Sequence, residues 1–177
     1  MLTGNIILLV ILIVLILATL VFFLSKSYCE NTKLGLKASS KVESQIEDLF
    51  SSQGGQVKCI GSGTEPVELI SGKTNYIWCG FRPVTGGQYR IVKKTATTNN
   101  ASLDANSWFF GSNEWLGTAS LSDTDPKKIF TLNIPGNLTN VTMRVELEVY
   151  YPGSNQAGIE ILDFKINKIN WFKNLIC

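Results

Sequence analysis

An uncharged, apolar segment at the N-terminus constrains this chain more than any other feature of its sequence. Residues 1–24 contain no charged side chain, and residues 6–24 form an unbroken apolar run in which Thr19 carries the only hydroxyl. A helix of about 19 residues spans about 28 Å, close to the bilayer hydrocarbon thickness of about 30 Å. Because the run has no polar stripe, it does not match a soluble amphipathic helix. We predict that residues 1–24 form a transmembrane anchor, with residues 6–24 in contact with the lipid bilayer.

A cleaved signal peptide is the alternative for this segment. Such a peptide starts with basic residues, has an apolar core of about 7–15 residues, and ends at a small-x-small site. Here the first five residues contain no Lys or Arg, the apolar run is longer, and residues 25–29 contain no Ala-x-Ala. We therefore predict a retained signal-anchor and a single-pass membrane protein.

Two opposed signals in the sequence indicate on which side of the membrane the C-terminal domain lies. Lys26, Lys33 and Lys37 follow the apolar run and no basic residue precedes it, which by the positive-inside rule favours a cytoplasmic C-terminal domain. Four cysteines, an even number, and three Asn-x-Ser/Thr sequons favour the opposite side. We give the cysteines more weight and predict an extracytoplasmic glycoprotein domain, with glycosylation at the three sequon asparagines Asn100, Asn137 and Asn140.

The cysteines predict a disulfide-bonded domain. In strands, Cys59 would share a face with Val57, and Cys79 would share one with Ile77 and Phe81, so both cysteines are expected to point into the core. A bridge between them leaves Cys29, close to the anchor, to pair with Cys177. Four cysteines allow three pairings. One alternative is that all four are free thiols in the cytoplasm. Another is that Cys29 forms an interchain disulfide or carries a lipid. No closely spaced cysteine pair predicts a zinc site.

Hydrophobic periodicity predicts one helix followed by strands. Four apolar residues have helical spacing: Val42, Ile46, Leu49 and Phe50. They predict a short amphipathic helix over residues 40–52. This helix belongs to a stem segment of residues 25–55. From residue 56 to residue 177, period-two alternation between turns of Gly, Pro, Asn and Ser predicts an antiparallel β-sandwich, and hence a mainly β fold class.

The clearest strand is predicted over residues 141–151, where apolar and polar residues alternate strictly. In the following strand the alternation changes parity between Ile161 and Leu162. An extra residue in one strand of a pair produces such a change, so we predict a β-bulge at that point.

No catalytic, cofactor-binding or metal site is predicted. The chain has no histidine, which excludes histidine triads and histidine metal ligands. Gly72-Lys73-Thr74 lacks the first glycine of a phosphate-binding loop, and Asp123-Thr124-Asp125 lacks the glycine and glutamate of a calcium loop. Glu146 and Glu148 are neighbours on a solvated strand face rather than a catalytic pair. A net charge of +2 without a concentrated basic patch predicts no nucleic-acid partner.

Trp108 and Trp115 bracket a Gly-Ser-Asn turn and are predicted to form an exposed aromatic pair that faces a ligand. Exposed indole rings provide flat apolar surfaces on which sugar rings stack. A carbohydrate-binding surface domain is therefore one alternative function.

An N-terminal apolar helix followed by a glycosylatable β-domain resembles the layout of archaeal pilin-like and archaellum-accessory proteins. The resemblance concerns architecture alone and assigns no role to any residue. It implies a homo-oligomeric subunit of a surface filament or secretion complex. From the residues themselves, we predict a non-enzymatic, membrane-anchored cell-surface or envelope protein, whose β-sandwich is an interaction or structural module with a protein or glycan partner outside the cytoplasm.

Overall fold

The structure is a computed structural model of the chain, and it forms two compact units. One unit comprises Met1–Lys33 with Asn170–Cys177, and the other Leu34–Ile169. The residues that the structure describes are 8–17, 19–20, 40–84, 86–121, 125–154 and 157–168.

The described part of the first unit is helical. Residues 8–17 and 19–20 lie in helix, and the exposed fractions of the apolar side chains range from 47% at Ile13 to 69% at Leu8. Among the described residues, no helix is both long enough and apolar enough to cross a membrane. The rest of the predicted anchor lies outside the described residues, so the anchor stays a prediction.

The second unit is mainly β. Its first described element is helix α1 (Ser40–Gln53), and a 3₁₀ turn (Ala105–Trp108) lies between two of its strands. The strands among its described residues are β1 (Val57–Cys59), β2 (Val67–Ser71), β3 (Thr74–Phe81), β4 (Gly87–Thr98), β5 (Phe109–Phe110), β6 (Glu114–Ala119), β7 (Lys127–Asn133), β8 (Val141–Tyr150) and β9 (Ala157–Lys168).

The strands form two sheets. The four-stranded sheet has the order β1-β3-β7-β5, and the five-stranded sheet has the order β2-β9-β8-β4-β6. The pairings are antiparallel except that of β2 with β9, which is parallel. The prediction of a purely antiparallel arrangement is therefore wrong at this edge. Because β2 and β9 are far apart in the sequence, no hairpin fixes their relative direction.

Both sheets contribute side chains to one apolar core. Ile77 and Phe81 enter it from β3, and Val145 and Leu147 enter it from β8, each with an exposed fraction of 3% or less. The Phe81 ring meets the Tyr89 ring edge-on, with 5.2 Å between the ring centroids. Because Phe81 belongs to the four-stranded sheet and Tyr89 to the five-stranded sheet, this contact joins the two.

Helix α1 packs on the opposite face of the four-stranded sheet, where it forms a second apolar cluster. Val42, Ile46 and Phe50 are buried there with Ile60, which confirms the predicted amphipathic helix. Gly80 of β3 permits the close approach, since a Cβ at this position would lie 2.3 Å from Cγ2 of Ile46.

The strand predicted over residues 141–151 is confirmed as β8, but the bulge predicted between Ile161 and Leu162 is wrong. The pairing of β8 with β9 runs without irregularity along its whole length. Leu162 faces the core, whereas Ile159 and Ile161 lie on the solvent side, with exposed fractions of 62% and 48%. The parity change in the sequence thus reflects two apolar residues on the outer face of the sheet.

Candidate functional site

The outer face of the five-stranded sheet holds apolar residues that do not enter the core. In a paired sheet, directly opposed residues lie on the same face, so the register identifies the members of this surface. We call this surface the open face and define it by three rows across the sheet: Leu116, Arg90 and Tyr150; Glu114, Val92, Glu148 and Ile159; Thr95, Glu146 and Ile161.

Three large apolar side chains of the open face are exposed to solvent. The exposed fractions are 57% for Leu116, 62% for Ile159 and 48% for Ile161. Single exposed apolar residues are ordinary on protein surfaces. Leu116 lies apart on β6, whereas Ile159 and Ile161 are neighbours on the outer face of β9, and adjacent exposed apolar residues are typical of a surface that contacts a partner.

Two hydrogen bonds fix one carboxylate of this face, that of Glu148. Lys94 Nζ lies 3.1 Å from Oε1 of Glu148, and the Tyr150 hydroxyl donates to Oε2 of Glu148 at 2.9 Å. The hydrogen bond from Lys94, followed by that from Tyr150, lowers the pKa of Glu148. A general acid needs a raised pKa, so this lowered pKa does not suit Glu148 to that role.

A second ion pair lies further along the same face. Arg144 donates from Nε and Nη2 to the two carboxylate oxygens of Asp163, each at 2.8 Å. This bidentate pair lowers the pKa of Asp163 and raises that of Arg144. It fixes β8 and β9 to each other on the solvent side of the sheet.

A shallow concavity of about 310 Å³ lies at one end of the open face. The Arg90 guanidinium carbon lies 4.0 Å from the centroid of the Tyr150 ring, a cation–π contact that holds the charged group in place. The lining residues are Gln88, Arg90, Leu116, Tyr150, Tyr151 and Ser154. With one guanidinium and no carboxylate among them, the concavity suits an anionic or hydrogen-bonding ligand.

The prediction that Trp108 and Trp115 form an exposed pair is wrong. Trp108 is 5% exposed and belongs to the core, and Trp115 is half-buried. The Trp115 ring stacks on Phe81, with 5.4 Å between centroids. Burial of a large indole ring in the core is strongly favourable. Sequence reasoning missed two other rings: Phe110, which is 72% exposed, and Tyr150, which is half-buried on the outer face of the five-stranded sheet.

The predicted cysteine bridge is present in part. Cys59 and Cys79 form a disulfide between directly opposed residues of β1 and β3, and neither residue is exposed. Cys29 and Cys177 lie outside the described residues, so their pairing stays a prediction.

The three sequon asparagines, Asn100, Asn137 and Asn140, are all exposed. In the first sequon, Oδ1 of Asn100 accepts hydrogen bonds from the backbone N and the hydroxyl of Ser102, at 3.1 and 2.7 Å. Their glycosylation stays a prediction.

The sequence motifs that were rejected as phosphate or calcium sites are described only in part by the structure. Gly72-Lys73-Thr74 spans the turn from β2 into β3, and Gly72 adopts a φ of 76°. Asp123 and Thr124 lie outside the described residues. Within the part of the chain that is described, no group of three or more His, Cys, Asp or Glu residues is placed to hold a metal ion.

No protein-family model matches this chain, and no curated protein matches its sequence. The residues and their geometry therefore carry the argument for its function.

Proposed function

We propose that this chain is a non-enzymatic, membrane-anchored protein of the cell surface or envelope, whose β-domain is an interaction module outside the cytoplasm. The observation that carries the proposal is the open face, on which Leu116, Ile159 and Ile161 are exposed although the opposite side of the same sheet faces the core. Exposed apolar side chains on an ordered sheet gain stability when a partner covers them.

The domain architecture that suits this role is a β-sandwich. Two sheets that share one core, with Phe81 of one against Tyr89 of the other, support this arrangement. Such a core holds the sheet that carries the open face, because every second residue of β8 is anchored in it, together with Leu162, Phe164 and Ile166 of β9.

The proposed anchor and compartment rest on independent features. Residues 8–17 are helical with exposed apolar side chains, which supports burial of the run 6–24 in lipid. The Cys59–Cys79 disulfide supports an oxidising compartment, because such bonds are rare in the cytosol. The exposure of all three sequon asparagines is compatible with glycosylation.

Topology is tested on the full chain with a reporter cysteine on the domain. Lys165→Cys places an exposed thiol on β9, and a membrane-impermeant maleimide is added to intact cells. Labelling of this thiol, with Cys59 and Cys79 unreactive until the protein is denatured and reduced, supports the extracytoplasmic domain. Labelling only after lysis, together with free Cys59 and Cys79 thiols, would place the domain in the cytoplasm and end the proposal.

The interaction surface is tested by mass photometry of the detergent-extracted full chain. Ile161→Lys charges the open face, and Val84→Lys is the matched control, since Val84 is an exposed apolar residue outside the open face. Oligomers lost only in the Ile161 variant would identify the open face as a contact between copies, as in a filament or secretion-complex subunit. Oligomers that persist in both variants would show that the open face makes no such contact and would remove the main support for the proposal.

The concavity beside Tyr150 favours a second candidate function, binding of an anionic saccharide. Its aromatic, amide and guanidinium groups are those that contact sugar rings, hydroxyls and carboxylates. A glycan array that includes carboxylated sugars tests it with the full chain. Binding that Arg90→Gln abolishes and Lys94→Gln preserves would support this function, and a blank array would exclude it.

A further inference from the structure

A buried lysine lies against an asparagine side chain at the edge of the core. Lys93 of β4 is 7% exposed, and its Nζ donates to Oδ1 of Asn106 at 2.9 Å. The same nitrogen lies 4.7 Å from the centroid of the Phe109 ring. Among the described residues, the direct contacts of Nζ are thus an amide oxygen and an aromatic face. Burial lowers the pKa of Lys93, against the smaller opposing effect of Asp104, and so favours the neutral, nucleophilic amine.

The carboxamide of Asn106 is fixed from its other side by the backbone of β4. Ala96 N donates to Oδ1 at 3.1 Å, and Nδ2 donates to the Ala96 carbonyl at 3.2 Å. Asn106 as a whole residue is exposed in the 3₁₀ turn, but these bonds turn its carboxamide towards the strand. An irregularity of β4 between Lys93 and Thr95 lets Lys93 and Ala96 both face inward.

We propose that Lys93 and Asn106 become joined by an intramolecular isopeptide bond. The lone pair of neutral Nζ attacks Cγ of Asn106, so that an Nζ–Cγ bond forms and the Cγ–Nδ2 bond breaks. Nδ2 leaves as ammonia and takes up a proton that Nζ loses. The products are one secondary amide and one ammonia molecule, and the step needs no oxidant, reductant or co-reactant.

The surrounding groups suit the charges that develop during this step. The Ala96 N–H points at Oδ1, where negative charge appears when Nζ attacks, and so acts as an oxyanion donor. The carboxylate beside the pair is Asp104, whose Oδ1 accepts from the backbone N of Asn106 at 3.0 Å. We assign Asp104 the transfer of the proton from Nζ to the leaving nitrogen.

The bond would tie β4 to the 3₁₀ turn across a sequence separation of 13 residues. It lies on the inner side of the sheet, away from the open face. The inference therefore goes beyond the proposed function and does not depend on it.

Mass spectrometry of the full chain tests the bond. The chain is expressed in a bacterial host that does not N-glycosylate, purified in detergent and reduced. The expected intact mass is lower than the sequence mass by one ammonia, and digestion is expected to yield a branched peptide that joins Lys93 to Asn106. Lys93→Met and Asn106→Ala are expected to restore the full mass. Lys94→Met is the matched control, because Lys94 is the exposed neighbour that pairs with Glu148, and it is expected to keep the loss.

The role of Asp104 has a separate readout. Asp104→Asn keeps a side-chain oxygen able to cap the 3₁₀ turn but removes the proton carrier. The rate at which the linked form accumulates is expected to fall about 100-fold. An unchanged rate would remove Asp104 from the mechanism.

Two results would overturn the bond itself. One is a wild-type chain whose mass equals the sequence mass. The other is an ammonia loss that maps to a linear peptide, as a cyclic imide at another asparagine would give. Because the wild-type mass decides the question alone, misfolding of a variant leaves the test intact.

Discussion

The Cys59–Cys79 disulfide joins directly opposed residues of β1 and β3 that are 20 positions apart in the sequence. On the chain-entropy estimate, closing a loop of about 20 residues in the unfolded chain stabilises the folded state by about 3 kcal/mol. The double variant Cys59→Ala/Cys79→Ala is expected to lose that amount from its free energy of unfolding. β1 is only three residues long, and among the described strands it pairs with β3 alone, so its own ladder has little capacity to compensate.

For a domain of about 130 residues, a loss of about 3 kcal/mol corresponds to a fall in Tm of about 12 °C. The assay is thermal unfolding of the full chain in detergent, followed by circular dichroism. Cys29→Ala/Cys177→Ala is the matched control that separates the other two cysteines from this effect. A fall of less than about 4 °C in the Cys59/Cys79 variant would mean that packing already holds β1 on β3. The entropic reasoning would then be refuted.

Three single substitutions test other parts of the fold. Gly80→Val places a side chain where Ile46 packs and is expected to cost about 1–3 kcal/mol by overpacking; an unchanged Tm would show that α1 does not depend on this contact. Asn75 is 2% exposed and its carboxamide bonds both the backbone N–H and C=O of Ile70, so Asn75→Leu is expected to cost about 2–5 kcal/mol in urea unfolding; a cost below about 1 kcal/mol would contradict this account. The pKa of Asp163 is lowered by its arginine partner, so this group stabilises the fold above its unfolded pKa of about 3.9 and the contribution is lost as pH falls below that value. Asp163→Asn is expected to flatten the dependence of Tm on pH between about 5 and 2, and parallel curves for variant and wild type would disprove the linkage.

The sequence was sufficient to predict the elements whose signal is local. Strict alternation in β8 identified both its core residues and its polar side, and the spacing of Val42, Ile46 and Phe50 identified α1. The Cys59–Cys79 bridge followed from the same alternation, because two cysteines that face one core from neighbouring strands come within bonding distance.

Features that depend on distant parts of the chain were missed. Trp108 is buried because the 3₁₀ turn lies against β4, and neither element indicates the other in the sequence. The parity change after Ile161 was interpreted as a bulge because apolar residues in strands usually face the core. The exposure of Ile159 and Ile161 became visible only from the pairing with β8. The open face was therefore predictable only in part: Glu146 and Glu148 were identified on a solvated strand face, but its exposed apolar residues were not.

The position of β9 in the five-stranded sheet determines when that sheet can be completed during synthesis of the chain. Among the strands that the structure describes, β9 lies between β2 and β8, and β2 pairs with no other strand. During synthesis, β2 therefore emerges long before the strand on which it must lie, and the five-stranded sheet stays incomplete until residues 157–168 have left the ribosome. Long-range pairing of this kind is slow and exposes unpaired edges while it is awaited. A chain truncated before β9 is thus expected to leave β2 and β8 with exposed edges and an incomplete core, and to populate partly folded states.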